Sequence, residues 1–370
     1  MFDDVTSARL RAIGLSPAML AQLSSCAPAV TQPDPLRVTE VQREGLTLHD
    51  GQSECGARVL PALRQQLAEQ SDALAVGDWV LAERNPHGQW WVHTRVPPLN
   101  QLARRLHDGR DKVSRTVIVS NVDTALLVMG LDNDFNPRRI ERYLALVRMA
   151  GVAPVVVLTK SDLCADPQAR LHEVQALLPP GAWAVAVNAL GDEPRQRLAD
   201  WLGEGQTLVL LGSSGAGKST LTNALIGQHH QLTGGNRSGD GRGRHTTTAR
   251  SLHVVPGGAC IIDTPGLRTL RLDGDADALG GVFDDIAQLA LQCRFRDCGH
   301  GDEPGCAVRA GVDPARVKSY QKLLREARRD TLTALERKTQ VSQWKARGRQ
   351  AAARMAHKRG DDGARRSGRG

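Results

Sequence analysis

No apolar run in this 370-residue chain approaches the roughly 18 residues that a membrane-spanning helix needs. The opening, MFDDVTSARLRAIG, lacks the basic-then-apolar order of a secretion signal, so the cytoplasm is the expected compartment. Cysteine is sparse, at seven residues, and three of the seven crowd between positions 293 and 306. In a reducing interior that clustering points to metal ligation and away from a disulfide framework. Cys26, Cys55, Cys164 and Cys260 follow no spacing pattern and read as ordinary packing residues. Internal repeats are absent. An acidic or basic bias is also missing from most of the chain. The net charge is +8, yet residues 337–370 hold eleven Lys/Arg against two Asp, which leaves residues 1–336 at −1. The basicity therefore belongs to the tail, whose Ala, Gly and Arg composition suits either contact with phosphate backbones or a solvated, disordered end.

What is present divides into regions. The length carries a prior of about two to three domains. A short amphipathic segment around Ala8 to Leu23 and a Pro-bearing linker, APAVTQPDP, form an N-terminal extension over residues 1–35. From 36 to 100 the runs LRVTEVQ, LTLHD, GARVL, GDWVLAER and QWWVHTRV, separated by turn residues, predict a five-stranded, OB-like β-barrel. On such a platform Trp90, Trp91 and Arg95 are candidate stacking and phosphate contacts, although tryptophans more often pack a core or rim. From 101 to 280 the runs TVIVS, TALLVMG, PVVVLTK, WAVAVNA, QTLVLLG and ACIIDTPG alternate with helical stretches such as PRRIERYLALVRMAG. Fully apolar strands alternating with helices predict an α/β domain with a parallel sheet covered on both faces. Residues 281–336 hold a Cys/His cluster and helices, with Val317, Tyr320, Leu323, Leu324 and Ala327 on one helix face; residues 337–370 are the basic tail.

GSSGAGKST, residues 212–220, fits the phosphate-loop pattern and lies between a strand and a helix, as that pattern requires. Gly212, Ser213, Ser214, Gly215, Ala216 and Gly217 would curl backbone N–H groups around an anion, helped by the helix N-terminus that begins at Lys218, Ser219 and Thr220. Lys218 would reach the β- and γ-phosphates, and the Ser219 hydroxyl would ligate Mg²⁺. Further on, Asp263 ends an apolar strand where it can hold Mg²⁺ through water, and the Gly266 N–H is placed to sense a γ-phosphate. Between them GGNRSGDGRGRHTTT, residues 234–248, is too poor in apolar surface to be rigid. It reads as a loop that orders around Mg²⁺ and a γ-phosphate, with Thr247, or otherwise Thr246, closing onto the metal.

Guanine presents N1–H and its 2-amino group as adjacent donors, which one carboxylate can accept together. The strand end TKSD offers Asp162 for that bond, Lys160 to lay its stem over the base and Thr159 beside them. A second loop offers Asn188 and a backbone N–H at Ala189 for the guanine oxygen. Base-reading elements thus precede phosphate elements, the reverse of a conventional GTPase. Circular permutation explains that order, because packing depends on spatial adjacency and survives a change of chain ends.

In its motifs the chain resembles the RsgA family of bacterial circularly permuted GTPases, which assist assembly of the small ribosomal subunit. The resemblance spans a small barrel, TKSD, GSSGAGKST, GRGRHTTT, DTPG and a zinc cluster. It implies GTP/GDP with Mg²⁺ as ligands, the small subunit and its rRNA as partner, subunit-stimulated hydrolysis, and no membrane; a switch wired to flanking RNA-binding domains works as a monomer. Two departures stand out. Thr159 replaces the common Asn, which would weaken base contacts, and Asn188 occupies a position often held by Ser.

Many GTPases orient the attacking water with a glutamine after the DTxG glycine; here that residue is Leu267, and an apolar side chain cannot do this. His245 is the candidate in its place, and the resemblance implies the same role for it, with Lys218 and Thr247 completing the catalytic set. Cys293, Cys298, His300 and Cys306, spaced C-x4-C-x-H-x5-C, offer three thiolates and an imidazole for one structural Zn²⁺. Two other readings remain. A P-loop ATPase or small-molecule kinase would use the same phosphate loop, with TKSD a chance match; a non-catalytic RNA-binding module would rest on barrel, cluster and tail. Neither accounts for all the elements together.

Overall fold

The computed structural model describes residues 4–26, 33–107, 113–227, 250–264 and 281–331. Two short helices, α1 (Asp4–Arg11) and α2 (Pro17–Ser25), replace the single amphipathic segment expected from the sequence. Gly14, at φ 87°, and Pro17 break it, and the Ser16 hydroxyl caps α2. The segment is far from peripheral: Leu10, Ile13, Leu15, Met19 and Leu23 enter the main core.

The barrel follows: β1 (Asp34–Val41), β2 (Leu46–His49), β3 (Glu54–Val59), helix α3 (Pro61–Glu69), β4 (Trp79–Arg84) and β5 (Trp90–Arg95). Pairing runs β1-β2-β3-β5-β4, and β4 returns to β1 to close the ring. All five strands expected from the sequence are present, and helix α3, which was not foreseen, plugs the ring with Leu63 and Leu67. The proposed contacts of β5 need correction. Trp90 is buried against the barrel core, with the Arg84 guanidinium 4.7 Å from its ring centroid. Arg95 is buried in ion pairs to Asp72 (2.8 Å) and Asp78 (3.1 Å), so it is not available to phosphate. Burial pushes the Asp78 carboxyl up to about 6 even with Arg95 beside it.

A hairpin, β6 (Gln101–His107) and β7 (Val113–Ser120), comes next. TVIVS therefore belongs to an antiparallel pair and not to the parallel sheet, a second correction; Val119 makes one bridge to Val76 instead. The α/β unit then runs β8 (Thr124–Gly130), α4 (Pro137–Met149), β9 (Ala153–Thr159), α5 (Pro167–Gln175), β10 (Trp183–Ala186), α6 (Glu193–Arg197), β11 (Thr207–Leu211), α7 (Lys218–Ile226), β12 (Ser251–Val254) and β13 (Cys260–Asp263). Strand order is β10-β9-β8-β11-β13-β12, parallel throughout except β12, which runs antiparallel to β13 and touches β1 of the barrel. Alternate residues separate the two faces: Leu126, Val128, Leu208 and Leu210 meet α7, whereas Leu127, Met129, Val209 and Leu211 join the cluster that holds Ile140, Leu144 and Val147 of α4.

Three helices close the described chain: α8 (Asp284–Ala290), α9 (Ala307–Gly311) and α10 (Pro314–Thr331). Val317, Leu323 and Ala327 of α10 are buried and Tyr320 and Leu324 half-buried, which is the face the helical spacing predicts. The docking onto α4 is ionic. Arg142 makes two 2.6 Å bonds to Glu326, and the fully buried Glu141 accepts from Arg138 (3.0 Å) and Arg316 (2.6 Å).

One residue ties the N-terminal helices, barrel and α/β sheet together. Arg37 on β1 is fully buried; it donates to the Ile13 carbonyl, to Thr207 Oγ1 at 2.8 Å and to the Asn121 carbonyl at 3.3 Å, and lies 5.4 Å from the Trp79 ring centroid. A Cβ on Gly14 would fall 1.8 Å from Arg37 Nη1, so glycine is needed there both for its φ and for this approach. Replacing Arg37 by Ala orphans three acceptors and takes the nearby cation away from the half-buried Asp123. We expect a loss of about 3–5 kcal/mol in urea unfolding, the scale for breaking a buried charged network.

Candidate nucleotide site and metal cluster

The carboxyl ends of β8, β9, β10, β11 and β13 lie along one edge of the sheet, where open α/β sheets bind ligands. Gly130, Thr159, Ala186, Leu211 and Asp263 are the residues at those ends. TKSD and the phosphate loop, separated in sequence, are thereby brought to one rim.

The phosphate loop leaves β11 and enters α7. Gly217 caps the helix at φ 87° and Gly215 turns at φ 82°, conformations that favour glycine. Gly212 passes so close to β8 that a Cβ would sit 2.3 Å from the Val128 carbonyl. The Lys218 ammonium donates to the carbonyls of Gly212 (2.9 Å) and Ser213 (2.7 Å), which fixes its charge within the curl of the loop. Ser214, Gly215 and Ser219 are exposed on the open side, Ala216 is buried beneath it, and Lys218 and Thr220 are half-buried.

Thr159, at the end of β9, is fully buried. Its hydroxyl donates to the Ala216 carbonyl at 2.6 Å, and a Cβ on Gly217 would lie 3.1 Å from the same oxygen. In this geometry the threonine bonds the phosphate loop itself. Lys160 follows in the left-handed region (φ 58°) and turns the chain outward into the exposed Asp162. The Lys160 ammonium bonds the carboxylate of Asp132, which lies in the loop after β8. In the neighbouring loop the Asn188 N–H donates to Glu193 at 2.9 Å and Asn188 Oδ1 accepts from Leu190 at 3.0 Å, so the Asn side chain shapes the turn that carries the buried Ala189.

Asp263 is buried at the end of β13, and the hydroxyl of the next residue, Thr264, donates to the Leu210 carbonyl at 2.9 Å, binding this strand end to the root of the phosphate loop. His245, Thr246, Thr247, Gly266 and Leu267 lie outside the described residues, as does the basic tail. Sequence reasoning did not single out Asp132, Asp134 or Glu193. Only the fold brings Asp132 to Lys160 and Asp134 to Ser213.

The second constellation lies between α8 and α10. The ligand atoms of Cys293, Cys298, His300 and Cys306 are all within 4.8 Å of one another. The Cys293 and Cys306 sulfurs are 3.9 Å apart, and His300 Nδ1 is 3.8 Å and 3.6 Å from them. A tetrahedron with metal–sulfur arms of about 2.3 Å has edges near 3.8 Å, so this donor set can hold a metal ion. Supporting bonds fix it: His300 takes φ 57°, Gln321 donates to the His300 carbonyl at 2.8 Å, and the Arg309 N–H points at the Cys306 sulfur at 3.5 Å. Cys26, Cys55, Cys164 and Cys260 are free; burial pushes the Cys260 thiol up to about 11.

Comparison with known proteins shows the family to which the chain belongs. The RsgA GTPase family model matches residues 97–273. The small ribosomal subunit biogenesis GTPase RsgA of Xylella fastidiosa strain 9a5c is 47% identical over 318 residues, covering 83% of this chain and 87% of that one. Its namesake from Xanthomonas campestris pv. campestris strain B100 is 45% identical over 295 residues, 78% and 79% of the two chains. Among solved structures, YjeQ from Thermotoga maritima superposes with a TM-score of 0.58 at 22% identity, covering 80% of this chain and 99% of that one. YloQ, described as a circularly permuted GTPase, gives 0.54 at 20% identity, covering 83% and 99%; both show the shared fold.

The Thr159 bond can be tested by isosteric replacement. Thr159→Val strands a buried carbonyl and should cost about 1–3 kcal/mol in urea unfolding, with weaker nucleotide binding by fluorescence titration. Thr159→Ser keeps the hydroxyl and should stay near wild type in both measurements.

Proposed function

Because the chain belongs to the RsgA GTPase family and is a GTP hydrolase, we propose that it binds the small ribosomal subunit and hydrolyses GTP to GDP and phosphate late in assembly of that subunit, with turnover stimulated by the subunit. The observation that carries the nucleotide reading is the meeting of TKSD and the phosphate loop at the Thr159–Ala216 bond. Asp162, exposed at the rim, accepts the two guanine donors. The Lys160 stem lies along the base, and the Ala189 N–H faces the guanine oxygen. Residues 212–217 wrap the phosphates, Lys218 turns from the loop carbonyls toward the β- and γ-oxygens, and Ser219, Thr220 and the first turn of α7 complete the cradle.

Mg²⁺, which GTPases of this kind require, would be held by Ser219 and Thr247, with Asp263 reaching it through water; bound there it neutralises developing charge on the phosphates. Gly266 senses the γ-phosphate, and His245 orients the attacking water in a site where Leu267 cannot. The Cys3His cluster takes one structural Zn²⁺, since three thiolates and an imidazole match the ligand preference of that ion and leave no open position. The barrel, the metal-binding helical region and the basic tail contact rRNA, and the protein works as a cytoplasmic monomer. No helix among the described residues is long and apolar enough to cross a membrane.

Purified protein should turn over GTP slowly alone and at least about tenfold faster with small subunits, with ATP left intact; tenfold corresponds to only about 1.4 kcal/mol of barrier. His245→Ala should lose most of the stimulation and keep GDP binding. Equal hydrolysis of ATP would favour the ATPase reading, and stimulation that survives His245→Ala would remove that residue from the chemistry. Metal analysis should find one zinc per chain, and Cys298→Ser should lose it.

A further inference from the structure

Two carboxylates that the nucleotide motifs do not include lie in the loop between β8 and α4. Asp132 divides its oxygens: Oδ1 accepts the Asp134 N–H at 3.0 Å, and Oδ2 accepts the Lys160 ammonium. Asp134 bonds the Ser213 hydroxyl of the phosphate loop and pairs with Arg139 of α4 at 2.6 Å. The strand end beneath them is bare. A Cβ on Gly130 would lie 2.9 Å from Asp132 Oδ1 and 3.3 Å from Lys160 Cδ, so glycine there leaves room for both the aspartate and the lysine stem.

The Asp132–Lys160 pair contributes little to folding, because its side chains are 31% and 30% exposed and an ion pair so wetted is weak. Its effect lies in order. A lysine stem free to sample its rotamers must be immobilised when a base stacks on it, a loss that ordinarily weakens binding by roughly tenfold. Lys160 is already fixed at both ends, by its left-handed backbone and by Asp132.

We propose that Asp132 is a positioning residue for guanine recognition, holding the Lys160 stem in its base-stacking pose before the nucleotide arrives. This rests on the reading that Lys160 lies along the base. Asp134 does the corresponding work on the phosphate loop through Ser213, so one four-residue stretch of that loop, LDND, presets both halves of the site.

The test is a double-mutant cycle on the full-length protein, with fluorescent GDP and ADP as probes and thermal melting as a folding control. Asp132→Ala should weaken GDP binding by about tenfold when Lys160 is present and by less than about twofold in the Lys160→Ala background. Asp132→Asn keeps an oxygen acceptor and should fall between wild type and Ala. Gly130→Ala, which displaces both side chains by sterics without removing either, should weaken GDP in the same direction. A GDP-selective wild type whose Asp132→Ala variant binds GDP normally overturns the inference, as does an equal loss in both Lys160 backgrounds. A wild type that binds ADP as tightly as GDP overturns the base-reading assignment, and the inference with it.

Discussion

The hydroxyl of Thr159 reaches the Ala216 carbonyl at 2.6 Å in a site closed to solvent, and through that bond two segments read in reversed order become one surface. The bond depends on register. Gly130 pairs with Thr159, so β8 and β9 end level, whereas Leu211 pairs with Leu127, so β11 stops three residues earlier and hands over to the phosphate loop beside them. A shift of one residue in either pairing would carry the threonine away from the loop and turn its side chain to the other face. Spatial adjacency is thus the property that the permutation preserves, and the close pass of Gly217 against Thr159 marks where the two segments meet.

Around this rim the rest of the molecule acts as a frame. Helix α4 begins at the loop that carries Asp134, and along its length Arg138, Glu141 and Arg142 bond Asp313, Arg316 and Glu326 of the C-terminal region. Glu141 is fully buried and Arg316 nearly so, which makes this ion network sensitive to loss of any partner, because a buried charge left alone is costly. On the opposite side Arg37 binds helices, barrel and sheet through three carbonyl or hydroxyl acceptors. The nucleotide rim and the metal cluster therefore share one polar framework passing through α4.

Much of this was legible in the sequence because it rests on local chemistry. The phosphate loop, TKSD and the C-x4-C-x-H-x5-C cluster each carry their purpose in residue type and spacing, and the permuted order followed from those motifs alone. The five barrel strands announced themselves by short β-rich runs between turns. What stayed hidden depends on tertiary contacts. Thr159 looked like a weakened base contact, yet its buried hydroxyl serves the loop backbone. Arg95 looked like a phosphate ligand, yet it pairs with the buried Asp78 and the half-buried Asp72. TVIVS has the apolar content of a sheet strand and instead pairs with the charge-rich β6, whose QLARRLH gives little strand signal. Strand β12 is four residues long, too short for its alternation to be read. Asp132 and Asp134 acquire meaning only once β8 lies beside β9 and β11.

In the function proposed for this site, Asp162 reads the base of the same nucleotide whose phosphates Lys218 holds. Xanthine carries an oxygen where guanine carries the 2-amino group, so an amide at position 162, with one acceptor and one donor, matches xanthine as the carboxylate matches guanine. The direct measurement is the affinity of Asp162→Asn for GDP and for xanthosine diphosphate. The predicted result is a reversal, with GDP weakened and xanthosine diphosphate strengthened. An Asp162→Asn protein that keeps wild-type affinity for GDP and ignores the xanthine nucleotide would contradict it.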